Sequence, residues 1–208
     1  MEMIDIFDAN HTHIGTFERK AAHQQGLWHQ TFHCWIVVKD GLLLQLRSPT
    51  KANYPDMFDI SAAGHLEAGE SPVEGLREVQ EELGLTLRPE QLHFLGIKHD
   101  VMDEPGGVRN REFSHVYIAK ADISLEDLRV DPKEVAAVGV VQIADFIRLF
   151  ASEVEDCVVR VRSSFTGTIE DSQRRLHRSD LIPRVDNYYL KIGIMAELLL
   201  EGRQHLAI

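Results

Sequence analysis

The chain has 208 residues, with 22 Lys and Arg against 33 Asp and Glu, which gives a formal net charge of −11 at pH 7. Hydrophobic residues make up 44% of it, a share typical of a folded globular chain and not of a disordered one. The acidic surplus argues against nucleic-acid binding through clustered basic residues. It does not argue against small phosphorylated ligands, because a bound divalent cation can reverse the local charge.

The two cysteines and the N-terminal segment indicate the cellular compartment of the protein. Cys34 and Cys157 lie in apolar, β-branched runs, where we expect buried reduced thiols. The N-terminal segment lacks the basic and apolar regions of a signal peptide. No apolar run approaches the roughly 18 residues of a membrane span. We therefore expect a cytoplasmic protein that does not interact with a membrane.

The first half of the chain reads mainly as strands. Strand-like runs lie at 2–6, 31–38, 42–47 and 57–62, and a polar helix or loop lies at 16–26. The Asp-Gly pair at 40–41 predicts a hairpin between the second and third of these runs. In the second half, predicted strands are interspersed with helices and loops. We predict strands at 93–99, 113–119, 137–142 and 157–163, helices at 143–151 and 186–202, a polar loop at 100–112 and no assignment for 166–180.

The clearest helix covers residues 72–83. Ser71 can act as its N-cap, Glu74 completes a capping box, and Gly84 supplies its C-terminal stop. On a helical wheel its apolar residues share one face, and the opposite face carries Glu74, Glu78, Glu81 and Glu82. Taken alone, this patch fits either a solvated acidic face or a site for a hard cation such as Mg²⁺ or Mn²⁺.

The segment GHLEAGESPVEGLREVQEELGL, from Gly64 to Leu85, resembles the Nudix box. That pattern is Gly, five residues, Glu, seven residues, then Arg-Glu-apolar-any-Glu-Glu-any-Gly-apolar. Every fixed position carries its residue, with one departure, because six residues instead of seven separate Glu70 from Arg77. The deletion lies at or before the helix start, so it affects the placement of Glu70 more than the acidic face of the helix.

The resemblance implies a fold and a reaction. The fold is an α+β, α/β/α sandwich, with a mixed sheet between helices. We assign the Nudix domain to residues 1–150 and a C-terminal extension, packed on the same domain, to residues 151–208. The reaction is cleavage of a small-molecule diphosphate by water with Mg²⁺ or Mn²⁺ as cofactor. The metal ligands that the resemblance implies are Glu78, Glu81, Glu82 and the backbone carbonyl at Ala63 or Gly64, with Arg77 orienting Glu78.

Four stretches outside the box are similar to the isopentenyl-diphosphate isomerase subgroup of the family: GTFERKAAH, WHQTFHCW, RSPTKANYPDMFDISAAGH and REFSHVY. The isomerase binds a metal through three histidines and two glutamates, and it protonates its substrate with a cysteine and a glutamate. His23, His29 and His65 match these histidines, and Glu112 matches the glutamate that both ligates and protonates. Asn110 replaces the other metal-binding glutamate, and Ala63 replaces the cysteine.

An alanine cannot transfer a proton, so the resemblance favours a hydrolase. Isopentenyl-diphosphate isomerase and a non-catalytic, ligand-binding Nudix module are the alternatives. Glu112, placed by sequence at a loop–strand junction, is either a fourth metal ligand and general base or an exposed carboxylate. The three histidines form either a second metal site or a hydrogen-bonded packing group.

An anionic substrate also needs cationic side chains. Arg47 is the best candidate, because arginine binds phosphate through two parallel hydrogen bonds. Lys51 and Arg111 follow, and each of the three fits a surface charge as well. The last helix fits either a packing role or a homodimer contact. The segment 156–180 either caps the substrate pocket or is a family-specific extension.

Overall fold

The computed structural model describes residues 2–103, 107–163 and 168–208. Residues 104–106 of the predicted loop and residues 166–167 of the unassigned stretch lie outside the described ranges. The helices are α1 (Arg19–Gln25), α2 (Arg77–Leu83), α3 (Ile143–Phe150) and α4 (Tyr188–Leu200). The strands are β1 (Met3–Phe7), β2 (His13–Glu18), β3 (Trp28–Val38), β4 (Gly41–Arg47), β5 (Phe58–Asp59), β6 (Ala62–His65), β7 (Leu92–Asp103), β8 (Arg109–Lys120), β9 (Val135–Val141), β10 (Asp156–Ser163) and β11 (Glu170–His177).

The described strands join in one mixed sheet. Its main path runs β11-β10-β9-β4-β3-β1-β2, and β8 pairs with β3 in parallel while the other pairings are antiparallel. Helices pack on both faces of this sheet, so the predicted mixed-sheet sandwich is confirmed. The predicted hairpin is present as well, with Val38 opposite Gly41 between β3 and β4.

Two hydrophobic clusters lie on opposite faces of the sheet. Strand β3 contributes to both, because successive side chains of a strand point to opposite faces. Trp35 and Val37 pack in the cluster that includes α3 and α4, whereas Cys34 and Ile36 pack in the cluster that includes α2. Strands covered on both faces read as continuous apolar runs, which explains why β3, β4 and β9 are recognisable from sequence.

The helix predicted at 72–83 divides into a 3₁₀ turn over Pro72–Leu76 followed by α2. A 3₁₀ turn rises about 2.0 Å per residue against about 1.5 Å for an α-helix, so five of its residues span roughly the length of six to seven α-helical residues. The turn thus covers more distance per residue in the segment where the Nudix-box spacing is one residue short. A Cβ on Gly75 would lie 2.5 Å from Cγ of the buried Phe32, so this tight turn requires glycine.

Three other predictions needed correction. The predicted loop at 100–112 is largely the paired ends of β7 and β8, and Glu112 lies within β8 opposite Asp100. The stretch at 16–26 contains the end of β2 before α1, and the strand predicted at 57–62 is two strands, β5 and β6. Strand β11 was not predicted, because nearly all of its side chains are exposed and its sequence therefore shows no alternation of apolar and polar residues.

The chain after α3 continues the same sheet. Strand β10 pairs with β9, and Leu181 bridges Phe58 of β5. Cys34 and Cys157 are buried free thiols, as predicted. None of the helices in the described ranges is long and apolar enough to cross a membrane.

Candidate active site

The carboxylates of α2 lie against the loop–strand segment that contains Gly64. An added Cβ on Gly64 would lie 2.1 Å from Cδ and Oε1 of Glu78, so the absence of a side chain there makes room for this carboxylate. Burial raises the pKa of Glu78, although the charge of Arg77 opposes the shift. Glu81 projects outward, with 59% of its side chain exposed.

Glu82 is buried, which corrects the picture of α2 as a uniformly solvated acidic face. Its Oε2 accepts hydrogen bonds from the backbone N–H of Ala63 at 3.1 Å and from Nε2 of Gln45 at 3.2 Å. Burial raises the pKa of Glu82 to about 8, and the charge of Glu78 adds to the shift. A buried carboxylate and a half-buried one beside it repel each other, and a bound cation relieves that repulsion.

Arg77 organises the first half of this cluster. Its Nε donates to Glu70 at 2.8 Å and its Nη1 donates to Glu78 at 2.6 Å, while Glu81 lies at 3.3 Å. Its Nη2 donates to the backbone carbonyl of His65 at 2.8 Å. The guanidinium thus contacts both Glu70, whose position the shortened spacing left open, and Glu78, which it is predicted to orient.

The three predicted histidines come together on one side of β6. Nε2 of His23 and Nε2 of His65 are 3.0 Å apart, and one nitrogen from each of His23, His29 and His65 lies within 4.8 Å of the others. His29 Nδ1 lies 2.9 Å from the carbonyl of Leu27, which fixes this nitrogen as the donor and leaves Nε2 as an acceptor. His29 Nε2 is buried and has no hydrogen-bond partner within the described chain.

Glu112 completes this group from β8. Its Oε1 lies 3.8 Å from Nε2 of His29 and 3.9 Å from Nε2 of His65. The carboxylate is buried, which excludes the reading of Glu112 as an exposed loop residue. Burial lowers the pKa of both His23 and His65, which favours their neutral forms. In their 3.0 Å contact one Nε2 then donates and the other accepts.

The predicted phosphate-binding cations have partners within the chain. Arg47 donates to the carbonyl of Asn53 at 3.0 Å and lies 3.4 Å from Asp59. Lys51 pairs with Glu134. Arg111 pairs with Asp103 at 2.7 Å, within the segment predicted as a loop. Of the described contacts of these three cations, only those of Arg47 reach a residue close to the buried part of the site. Its partner Asp59 lies opposite Gln45, and Gln45 donates a hydrogen bond to Glu82.

Sequence reasoning missed a set of buried polar residues behind this site. Arg184 bridges Asp59 and Asp100, and His33 lies next to Tyr188, its Nδ1 3.1 Å from the hydroxyl. The sequence contains one usable signal, since Asp59 interrupts an otherwise apolar strand pattern, whereas Asp100 falls where the sequence predicts a polar loop. Arg184 has no such signal, because it lies in a segment without periodicity.

The fold and the α2 carboxylates define a hydrolase domain, and comparison with known families identifies it. The sequence profile of the NUDIX domain matches residues 27–160, more than half of the chain. The chain therefore belongs to the Nudix hydrolase family, whose enzymes act on phosphorus-containing anhydrides.

Two relatives refine this placement. The chain is 33% identical over 199 residues to an uncharacterized Nudix hydrolase of Clostridium acetobutylicum, covering 90% of this chain and 93% of that protein. It is 33% identical over 147 residues to the isopentenyl-diphosphate Delta-isomerase of Streptomyces griseus, covering 69% and 72%. The predicted resemblance to an isomerase-like subgroup is thus confirmed.

Crystal structures confirm the fold. One from Deinococcus radiodurans superposes with a TM-score of 0.55 at 19% identity, covering 73% of this chain and 90% of that one. A MutT/nudix family protein from Enterococcus faecalis superposes with a TM-score of 0.51 at 14% identity, covering 82% and 61%.

Proposed function

We propose that this protein is a metal-dependent diphosphatase that cleaves a diphosphate linkage in a small organic or nucleoside diphosphate. The observation that carries the proposal is the pair formed by half-buried Glu78 and buried Glu82, with Glu78 beside Gly64. Both hydrogen bonds to Glu82 are accepted by Oε2, which leaves Oε1 available to a ligand. Carboxylate oxygens are the ligands that Mg²⁺ and Mn²⁺ prefer, so these residues fit the cation that the family implies.

Each residue of the cluster has a distinct role in this proposal. Glu78, Glu81, Glu82 and the Gly64 carbonyl hold the cation, and Arg77 keeps Glu78 in place. When bound, such a cation stabilises charge on the phosphoryl oxygens and acidifies the attacking water. Glu112 would act as the general base, taking a proton from a water molecule whose oxygen attacks phosphorus while the bond to the leaving phosphate breaks. Arg47, Lys51 and Arg111 contribute positive charge toward the phosphates.

We include the histidine cluster as a second metal site. Its support is the tautomer that Leu27 imposes on His29, together with the unpartnered Nε2 that faces His23 and His65. Metal-binding histidines characteristically donate their other ring nitrogen to a carbonyl or carboxylate. Glu112 lies at the edge of this cluster and can serve it as a fourth ligand.

A substrate panel tests the proposal. Purified protein with Mg²⁺ or Mn²⁺ is incubated with nucleoside, coenzyme-type and prenyl diphosphates, and released phosphate or monophosphate is measured. We expect release from at least one compound, loss of that release in Glu81→Gln and Glu82→Gln, and no change in the matched control Glu90→Gln on the exposed surface. Full activity in both cluster variants would refute the assignment of α2 as the metal site.

Two alternatives give different results in the same assay. The isomerase converts isopentenyl diphosphate to its allylic isomer, but Ala63 offers no proton where that enzyme has a cysteine. A non-catalytic module shows metal-dependent thermal stabilisation by a ligand without turnover on any compound. The intact glutamates of α2 favour the hydrolase over both. Homodimer formation and a cytoplasmic location remain predictions.

A further inference from the structure

Strand β11 lies at one end of the sheet and leaves an edge open. It pairs with β10 along its whole length, from Glu170 to His177, and no other described strand pairs with it. The side chains from Glu170 to Arg175 are exposed, and the backbone groups of these six residues bond to no described residue outside β10. An edge strand of this kind presents a row of unpaired N–H and C=O groups, to which a further strand can be added.

The charges of β11 are separated by sign along the strand. Glu170 and Asp171 lie at its beginning and Arg174 and Arg175 near its end, so the strand is neutral in a chain with a net charge of −11. An edge with charges of one sign would repel a second copy of itself. An antiparallel second copy of β11 instead places the acidic half of one strand against the basic half of the other, where opposite charges attract.

Symmetry restricts how two copies of β11 can pair. A two-fold axis perpendicular to the sheet keeps each side chain on its own face, so residues that lie opposite each other must be an even number of positions apart in the sequence. With the axis at Ser172, Glu170 of each copy lies opposite Arg174 of the other, which gives two pairs of opposite charge. Ile169, which is 61% exposed, then lies opposite Arg175, and the aliphatic part of that side chain can cover it.

The ion pairs within the chain favour this register. Asp171 contacts Arg162 of β10 at 2.7 Å, and Arg175 contacts Asp156 of β10 at 2.8 Å. The other two charged residues of β11 are the ones that lie opposite each other when the axis is at Ser172. They form no ion pair with any described residue of their own chain, so their charges are available to a second copy.

Two other strands with an open edge, β7 and β2, fit a second copy less well. Strand β7 pairs with β8 alone, but Ile208 of the same chain donates to the carbonyl of Leu95 at 3.0 Å and so occupies part of that edge. Strand β2 has His13 and Glu18 as its titratable residues. An odd number of positions separates these two residues, so a two-fold axis cannot place them opposite each other. Self-complementary charge is therefore a property of β11 among these three strands.

We propose that β11 is a dimerisation strand and that its partner is a second copy of this chain, paired antiparallel about a two-fold axis at Ser172. Pairing over residues 169–175 adds roughly six main-chain hydrogen bonds and joins the two sheets into one. Both copies use the same surface, so the assembly closes at two chains. The inference gives part of the predicted C-terminal extension a role, and it does not depend on the proposed diphosphatase function.

Charge reversal tests the pairing. Sedimentation velocity, from low-micromolar to submillimolar concentration, is applied to the wild type, Glu170→Arg, Arg174→Glu and an equimolar mixture of these two variants. Each variant alone places like charges opposite each other at both symmetry-related positions, whereas a dimer with one chain of each variant restores both opposite-charge pairs. The matched controls Glu90→Arg and Arg203→Glu make the same charge changes at exposed residues elsewhere. Melting temperatures identify any variant that fails to fold, and hydrogen exchange of the wild type at the lowest and highest concentrations needs no variant.

We expect the wild type and both controls to dimerise in this range. Each single variant should dimerise about tenfold more weakly, because its substitution acts twice in a symmetric dimer, and the mixture should associate within about threefold of the wild type. The amides of β11 should exchange more slowly at the highest concentration than at the lowest. A wild type that stays monomeric, dimers that both variants leave unchanged, or a mixture no stronger than its components overturns the inference. Protection of α4 and not of β11 also overturns it and would place the interface on the last helix.

Discussion

Replacing Gly64 with alanine tests whether Glu78 must lie where the structure places it. The added Cβ would lie 2.1 Å from Cδ and Oε1 of Glu78, whereas ordinary contact begins near 3.4 Å. The carboxylate must therefore move by roughly 1.3 Å. Because it is the far end of a flexible side chain, this movement should cost little stability.

The expected loss is therefore one of activity and not of folding. A misplacement of about 1 Å in a reacting group can lower the rate about 10²-fold. We expect Gly64→Ala to lower kcat on the best diphosphate of the panel about hundredfold and to weaken Mn²⁺ binding, with a melting temperature close to that of the wild type. Three measurements separate these effects. Fixed-time phosphate assays give kcat, titration followed by electron paramagnetic resonance gives Mn²⁺ affinity, and thermal denaturation gives the melting temperature.

A second substitution checks the cause. Glu78→Asp shortens the side chain by one methylene and withdraws the carboxylate from the added Cβ. If the collision is the cause, Gly64→Ala should cost much less in the Glu78→Asp background than in the wild type, because contacting residues couple. Wild-type turnover and Mn²⁺ affinity in Gly64→Ala would refute the placement of Glu78 as a metal ligand, and strictly additive losses would refute the collision as the mechanism.

The remaining predictions concern the shortened turn, the orienting arginine and a buried histidine. Gly75→Ala should destabilise the fold by about 1–3 kcal/mol in urea denaturation, because its Cβ would meet the immobile ring of Phe32 at 2.5 Å; unchanged stability would show that the turn is not tight. Arg77→Lys should lower Mg²⁺ affinity and turnover about tenfold or more with the fold intact, because one ammonium cannot replace the bonds to Glu70, Glu78 and His65. The control is Arg88→Lys on the exposed surface. Equal turnover in the two variants would contradict the orienting role of Arg77. Burial lowers the pKa of His115 from 6.5 to about 4, so the folded chain binds fewer protons than the unfolded chain between these values, and stability falls as the pH drops. Between pH 7 and pH 5, His115→Phe should lose about 2 kcal/mol less unfolding free energy than the wild type, and the exposed His205→Phe should behave as the wild type; parallel losses in all three would rule out His115 as the titrating group.

The parts of the fold predicted correctly are those whose residues are buried by their immediate neighbours. Strands β3, β4 and β9 are covered on both faces, so their apolar runs are visible in the sequence. Strand β11 is an exposed edge paired with β10, and nothing in its polar residues distinguishes it from a loop. The division of the helix at Leu76 depends on one missing residue and on the contact of Gly75 with Phe32, neither of which periodicity detects.

The residues of the site also differ in how far they can be predicted from the sequence. The α2 glutamates are recognisable because the Nudix-box pattern contains them, and the three histidines because the stretches around them resemble the isomerase subgroup. The roles of Asp59, Asp100 and Arg184 depend on pairings between segments far apart in the sequence. Arg184 meets Asp59 across 125 residues, and no local pattern encodes such a contact.

The net charge of −11 takes on a specific meaning in the folded chain. Residues 67–82 contain six glutamates and one arginine, a net charge of −5. That single Arg77 lies within reach of Glu70, Glu78 and Glu81, whereas Glu82 receives neutral N–H donors from Ala63 and Gln45. Among the glutamates that Arg77 does not contact, Glu67 and Glu74 are exposed and Glu82 is buried. Burial raises the pKa of Glu82 to about 8, so a bound cation is needed to stabilise its charged form at pH 7. A solvated acidic face would place its unpaired charge in water, so the burial of Glu82 is the feature that separates a cation site from that alternative.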